Sequence, residues 1–183
     1  MQTVFTFPEA FTVSECDRIT ALSRAEALAD AGLVGGATDH NLRRADVAWL
    51  DERDGAGWVM DRIMQVVLEG NRNVFDFDLR EFAESPQVAR YGADRQGHFT
   101  WHSDIGDGPV ARKRKLTMVV QLSDAGCYQG GVLEMMADAN TRQADRRQGS
   151  ATLFPSFVLH RVTPVKSGVR HSLTIWAHGP AFR

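Results

Sequence analysis

The chain changes texture near residue 85. Before it, apolar positions recur every three or four residues; after it, short apolar runs alternate with polar and turn residues. Val13, Cys16, Ile19 and Leu22 repeat at helical spacing behind Thr12 and Glu15, which match the reciprocal capping pair of a helix N-terminus. Gly32 is the expected stop. A second helix is predicted from Gly57 to Glu69, with Trp58, Val59, Ile63, Val66 and Val67 on one side and Gly70 ending it.

From Ser85 the pattern predicts strands at 87–91, 98–104, 115–123, 131–135, 150–154, 159–162 and 169–177. In KLTMVVQLS, Leu116, Met118, Val120 and Leu122 alternate with Thr117, Val119 and Gln121, the period of a half-buried strand. Strands that follow one another without intervening helices build an antiparallel sandwich or jelly roll. The expected class is therefore mainly β with flanking N-terminal helices (α+β), the helices packed outside one sheet. One domain is expected over 1–183, with 1–85 a mainly helical N-terminal support and 86–183 the jelly-roll core.

Composition narrows the partners. The formal charge of −2 provides no basic field to attract nucleic acid or an anionic membrane. Cys16 and Cys127 form no CxxC pair, so neither a zinc ribbon nor a disulfide framework is indicated. The opening MQTVFTFPEAFT lacks the basic and apolar regions of a signal peptide, and no run reaches the ~18 apolar residues of a membrane span. A cytoplasmic protein without membrane association is expected.

The candidate chemistry starts in FTWHSDIGDG. His102 and Asp104 stand two positions apart on a strand and so share a face, either as a hydrogen-bonded pair or as two metal ligands. His160, in LFPSFVLHRVTPV, lies on another short strand that one barrel can bring beside them. Two histidines and one carboxylate leave half an octahedron open, the pattern of non-haem Fe(II) oxygenases, whereas zinc prefers closed sets often containing cysteine. In VRHSLTIWAHG, Arg170, Ser172, Thr174 and Trp176 share one strand face, and Val169, His171, Leu173 and Ile175 the other. An arginine aimed into a barrel is costly unless an anion meets it; Arg170 offers a bidentate fork and Ser172 a further donor.

The stretches VARYG, FTWHSD, KLTMVVQLSD, YQGGVLEM, GSATLFPSFVLHRVTPV and GVRHSLTIW occur in an order that resembles the Fe(II)/2-oxoglutarate-dependent dioxygenases, specifically the prolyl 4-hydroxylase-like branch with its bacterial PKHD-type hydroxylases. The resemblance implies a double-stranded β-helix, a cupin-like jelly-roll barrel. It implies Fe(II) held by His102, Asp104 and His160, and the distal carboxylate of 2-oxoglutarate held by Arg170 with help from Ser172. Tyr91 would hydrogen-bond this cosubstrate, and Thr117 and Trp176 would line the pocket. The implied activity is O₂-dependent hydroxylation of an amino-acid side chain in a peptide, a protein or a free amino acid. Decarboxylation of 2-oxoglutarate to succinate accompanies it, with ascorbate as a supporting reductant.

Two other functions compete. A nucleic-acid demethylase of the same superfamily needs a basic, aromatic strand-binding surface, and the net charge with one short basic run, Arg112–Lys115, does not supply it. A non-catalytic jelly-roll binding protein has no need of His102, Asp104, His160 and Arg170 together. Elsewhere the bland reading is preferred. His98 is expected at a strand end, His171 on the face away from Arg170, and His40 and His178 at the surface. Arg112–Lys115 is read as a solvated turn, Arg142, Arg146 and Arg147 as part of a polar loop, Cys127 as a turn residue and Trp58 as core. Gly106 and Gly108 open a loop suited to act as a lid.

Overall fold

The capping pair closes as its spacing predicts. The Glu15 N–H donates to Thr12 Oγ1 (3.2 Å) and the Thr12 N–H to Glu15 Oε2 (2.8 Å). In this computed structural model, which describes residues 3–25, 29–30, 38–50 and 55–182, α1 spans Val13–Ala25. Gly32, its expected stop, lies outside the described residues. Helix α2 spans Gly57–Gly70 and continues into a wider helical turn, Asn71–Phe75, ended by Asp76 at φ 52°.

Thirteen strands accompany the helices among the described residues. They are β1 (Phe5–Phe7), β2 (Ala29–Asp30), β3 (Arg43–Arg44), β4 (Asp46–Trp49), β5 (Gln87–Gly92), β6 (His98–His102), β7 (Arg114–Gln121), β8 (Tyr128–Gly130), β9 (Leu133–Met136), β10 (Thr141–Gln143), β11 (Ala151–Pro155), β12 (Leu159–Val162) and β13 (Val165–His178). All pairings are antiparallel. The larger sheet runs β1-β11-β7-β13-β5-β4-β2, with β8 on the start of β13; the smaller runs β10-β9-β12-β6-β3. This is the expected jelly roll with helices outside one sheet.

Three features depart from the sequence reading. The N-terminal segment is not only helical: β1, β2 and β4 extend the larger sheet and β3 the smaller. Strands of two to four residues hold too few positions for alternation to show. Thr141–Gln143 is a strand on β9 rather than loop, yet all three residues are exposed, so no apolar signal marks it. Strand β7 is buried on both faces rather than one. Leu116, Met118 and Val120 pack with Val59, Ile63 and Val67 of α2, while Val119 joins Tyr91, Leu133 and Phe154 between the sheets. The helices thus replace solvent on one side of β7. Truncating a fully buried Ile63 to Ala would cost about 2–5 kcal/mol.

Candidate metal centre and anion site

The site lies between the sheets, at about 800 Å³ of cavity. Strands β6 and β12 are neighbours in the smaller sheet, and their register sets His160 directly opposite His102. The two imidazoles therefore lie side by side, centroids 4.1 Å apart. Asp104 follows β6 immediately. Its N–H donates to the Ser156 carbonyl (2.9 Å) and its own carbonyl accepts from Arg114 Nη1 (3.0 Å), so its backbone is clamped on both sides.

The three side chains converge. His102 Nε2 lies 3.7 Å from Asp104 Oδ1, and His160 Nε2 lies 3.5 Å from Oδ2. One ligand atom from each fits within 4.8 Å of the others. The far ring nitrogens donate to backbone carbonyls, His102 Nδ1 to Thr100 (2.7 Å) and His160 Nδ1 to Val158 (3.0 Å). That arrangement leaves both Nε2 lone pairs turned to the carboxylate. Phe99 stacks on His102 at 3.4 Å. Burial, reinforced by the neighbouring His160, depresses His102 to about 4 and keeps it neutral. Burial opposes the charge on Asp104, but the two imidazoles outweigh it and hold the carboxyl below its usual range. Two imidazoles with inward-turned Nε2 atoms and one buried carboxylate facing a cavity fit a divalent transition metal.

The opposite wall belongs to the larger sheet. Arg170 on β13 is paired in register with Tyr91 on β5 and is 0 % exposed. Its Nε donates to Gln121 Oε1 (3.1 Å) and its Nη1 approaches Ser172 Oγ (3.4 Å), while Nη2 is buried without a partner. Among the described residues no carboxylate forms an ion pair with it. Burial lowers its pKa, countered by Tyr91 and Tyr128. An orphaned N–H on a buried cation costs about 1–3 kcal/mol or more, so this wall fits an anion. Between the two ends the cavity is lined by Val119, Leu133 and Val162.

Of the residues singled out beforehand, Tyr91, Ser172 and Trp176 line this cavity with His102, Asp104, His160 and Arg170. Thr117 does not. It is fully buried and its hydroxyl donates to Asp104 Oδ2 (2.8 Å), so it sits behind the carboxylate instead of on the wall. Ile105–Val110, the glycine-bearing loop, runs along the cavity. His98 is held between the carbonyls of Gln96 and Asn41, and His171 faces Ser123. His178 is corrected: it is fully buried, accepting from the Ala83 N–H (3.3 Å) and donating to Glu84 Oε2 (3.0 Å).

Sequence reasoning missed a second layer. Arg114, read as part of a solvated turn, is 8 % exposed; it grips Glu84 through Nε (2.7 Å) and Nη2 (2.5 Å) and lies 3.8 Å over the Trp176 ring. The register slips between Ala177 and His178, which breaks the two-residue period at the start of β7 and hides which way Arg114 points. Glu84 sits in an irregular segment with no period to read. Gln121, the acceptor for Arg170, shares the parity of Thr117 and Val119, and that signal was available.

The fold is the jelly-roll fold of solved prolyl hydroxylases, and a two-histidine, one-carboxylate cluster lies between its sheets. In sequence the chain resembles the PKHD-type hydroxylases. It is 28% identical over 152 residues to a PKHD-type hydroxylase of Hyphomonas neptunium, an alignment covering 80% of this chain and 65% of that protein, short of two thirds of its length. Among solved structures it is similar to a Trichoplax adhaerens prolyl hydroxylase in complex with a hypoxia-inducible-factor peptide, with TM-score 0.78 at 18% identity over 96% of this chain and 83% of that one. A Pseudomonas putida prolyl-4-hydroxylase gives TM-score 0.75 at 21% identity over 99% and 95%. No protein-family model matches the chain. Among the described residues no helix is long and apolar enough to cross a membrane.

Proposed function

We propose that this protein is an Fe(II)- and 2-oxoglutarate-dependent dioxygenase that hydroxylates an amino-acid side chain in a peptide, a protein or a free amino acid. The observation that carries the reading is a buried His102–Asp104–His160 cluster and a buried, incompletely partnered Arg170 facing one cavity. His102, Asp104 and His160 hold the metal, and Arg170 with Ser172 takes the far carboxylate of the cosubstrate. Iron bound there supplies O₂ activation coupled to decarboxylation of 2-oxoglutarate to succinate, one oxygen atom entering succinate and the other the substrate C–H bond.

The chain's own residues prepare that chemistry. The carbonyls of Thr100 and Val158 accept from the two Nδ1 atoms and so orient both rings with Nε2 toward the metal position. Thr117 holds one carboxylate oxygen, leaving the other to coordinate. Tyr91 borders the space between metal and anchor, and Val119, Leu133 and Val162 keep water from it. The substrate enters past the exposed Trp49, whose ring lies 6.5 Å from that of the buried Trp176 in the cavity wall. Ascorbate supports turnover, and the protein works in the cytoplasm without membrane or nucleic-acid partners, consistent with its charge of −2.

The test is conversion of 2-oxoglutarate to succinate by ferrous-reconstituted protein, measured with proline-containing peptides, free amino acids and methylated oligonucleotides. Iron-dependent succinate with a hydroxylated peptide or amino acid, abolished in His160→Ala, is expected. Folded protein that binds no iron and forms no succinate with any substrate overturns the reading; turnover confined to oligonucleotides moves it to the demethylases.

A further inference from the structure

The smaller sheet is irregular beside the metal position. Strands β6 and β12 pair at His102 with His160 and again at Phe99 with Val162. Between these pairs β12 advances by two residues and β6 by three, so β6 holds one extra residue, a bulge. Residues directly opposite one another on an antiparallel pair share a face, and so do residues two apart on one regular strand. Val162 and His160 therefore put Phe99 on the same face as His102. Plain alternation along β6 would turn Phe99 away from it. The extra residue brings the Phe99 ring into the cavity with both histidines.

The contact that results is an uncommon one for two neutral rings. Phe99 and His102 are 15° from parallel with centroids 3.4 Å apart. Carbon atoms in contact already stand about 3.5 Å apart, so the rings overlie one another with almost no lateral offset. Aromatic pairs ordinarily avoid this sandwich, in which two negative faces meet, and adopt offset or edge-on arrangements. His160 has the ordinary kind of neighbour: Phe154 meets it at 4.8 Å, tilted by 54°. A sandwich becomes favourable when one ring is electron-poor. A metal ion on Nε2 draws electron density out of the imidazole, and the negative face of Phe99 then attracts a ring that carries positive charge. His102 is also the more exposed of the two histidines, so its ring gains more from a second restraint.

We propose that Phe99 is a positioning residue for the metal centre: turned under His102 by the bulge, its ring favours the metal-coordinated imidazole over the free one. This rests on the reading above for the identity of the site. It assigns part of the metal affinity to the face of an apolar side chain that touches no metal.

The experiment is calorimetric titration of chelator-stripped, folded protein with Co(II), which needs neither cosubstrate nor turnover. Phe99→Leu is expected to weaken Co(II) binding about tenfold, the loss of a positive charge held over an aromatic face in a partly buried site. Phe99→pentafluorophenylalanine keeps the outline of the ring and reverses the sign of its faces; it should weaken Co(II) by a similar or larger factor. The Arg43 guanidinium, 4.6 Å over the same ring, is present with and without metal and drops out of the comparison.

Parent-like affinity in the fluorinated protein overturns the proposal, because a ring that only fills space would not register the change. Parent-like affinity in Phe99→Leu overturns it as well. If Phe99→Leu does not fold, the fluorinated variant, which preserves the shape, decides alone. Failure of the parent to bind Co(II) sinks the functional reading itself, a distinct result.

Discussion

Replacing Arg170 with methionine should stabilise the metal-free protein while destroying its response to 2-oxoglutarate. The guanidinium is 0 % exposed, has two neutral acceptors and leaves Nη2 without any. Exchanging a poorly compensated buried ion for an apolar chain of similar length gains about 1–4 kcal/mol, and methionine is the residue best able to fill an irregular space. Against this, Gln121 Oε1 loses its donor, a cost of about 1–3 kcal/mol, the lower end applying if its amide rotates to another partner. With the Gln121 amide rotated to another partner the balance is a gain of about 0–3 kcal/mol, which in a chain of this size raises the melting temperature by up to about 12 °C. The assay is thermal unfolding followed by circular dichroism after exhaustive chelation, then repeated with Mn(II) and 2-oxoglutarate. At a hundredfold excess over its dissociation constant the ligand should stabilise the parent by about 2.7 kcal/mol and Arg170→Met hardly at all. A variant that melts well below the parent without ligand would show that Arg170 is already satisfied in the empty fold. A variant that 2-oxoglutarate stabilises as much as the parent would show that the anchor lies elsewhere.

Further outcomes follow from the surrounding contacts. Thr117→Val keeps the shape but removes the donor to Asp104 Oδ2; metal affinity should fall about 10- to 100-fold in titrations of folded protein, and an unchanged affinity would make the hydroxyl incidental. Burial disfavours the charge on Glu84, but His178 and Arg114 prevail and hold its carboxyl down at about 2 against an ordinary 4.5. Its contribution is therefore present above about pH 4.5 and is lost as pH falls toward 2; Glu84→Gln should flatten that acid limb of the melting curve, and an unaltered slope would contradict the pairing. Burial, aided by Arg24, Arg90 and Arg170, depresses His171 to about 4. Its ring signals should titrate near that value by NMR, and a midpoint near 6.5 would mean that the ring is solvated.

How far the chain could be read depended on whether a residue sat in a run of regular period. His102 and Asp104 were legible because alternation along β6 puts them on one face, and Arg170 and Ser172 because β13 alternates without a break over the same span. Arg114 was lost at the slip in register that ends that regularity. Thr117 shows a subtler limit: parity assigned it correctly to the inner face, but parity cannot distinguish a wall from the layer behind a ligand. His178 was misplaced because its partners, Ala83 and Glu84, come from an aperiodic segment far away in the chain. The strands before residue 85 were too short to announce themselves.

The histidines rise from the smaller sheet and Arg170 from the larger. A molecule gripped at both ends is therefore a rivet through the sandwich, and its length is gauged by how the two layers are seated. Sliding one layer by a single ladder step, about 3.3 Å, would retune the cavity to a molecule of different length without altering any side chain that touches it. Amide exchange in β5 and β12, on opposite layers, should accordingly slow in concert when the rivet is in place.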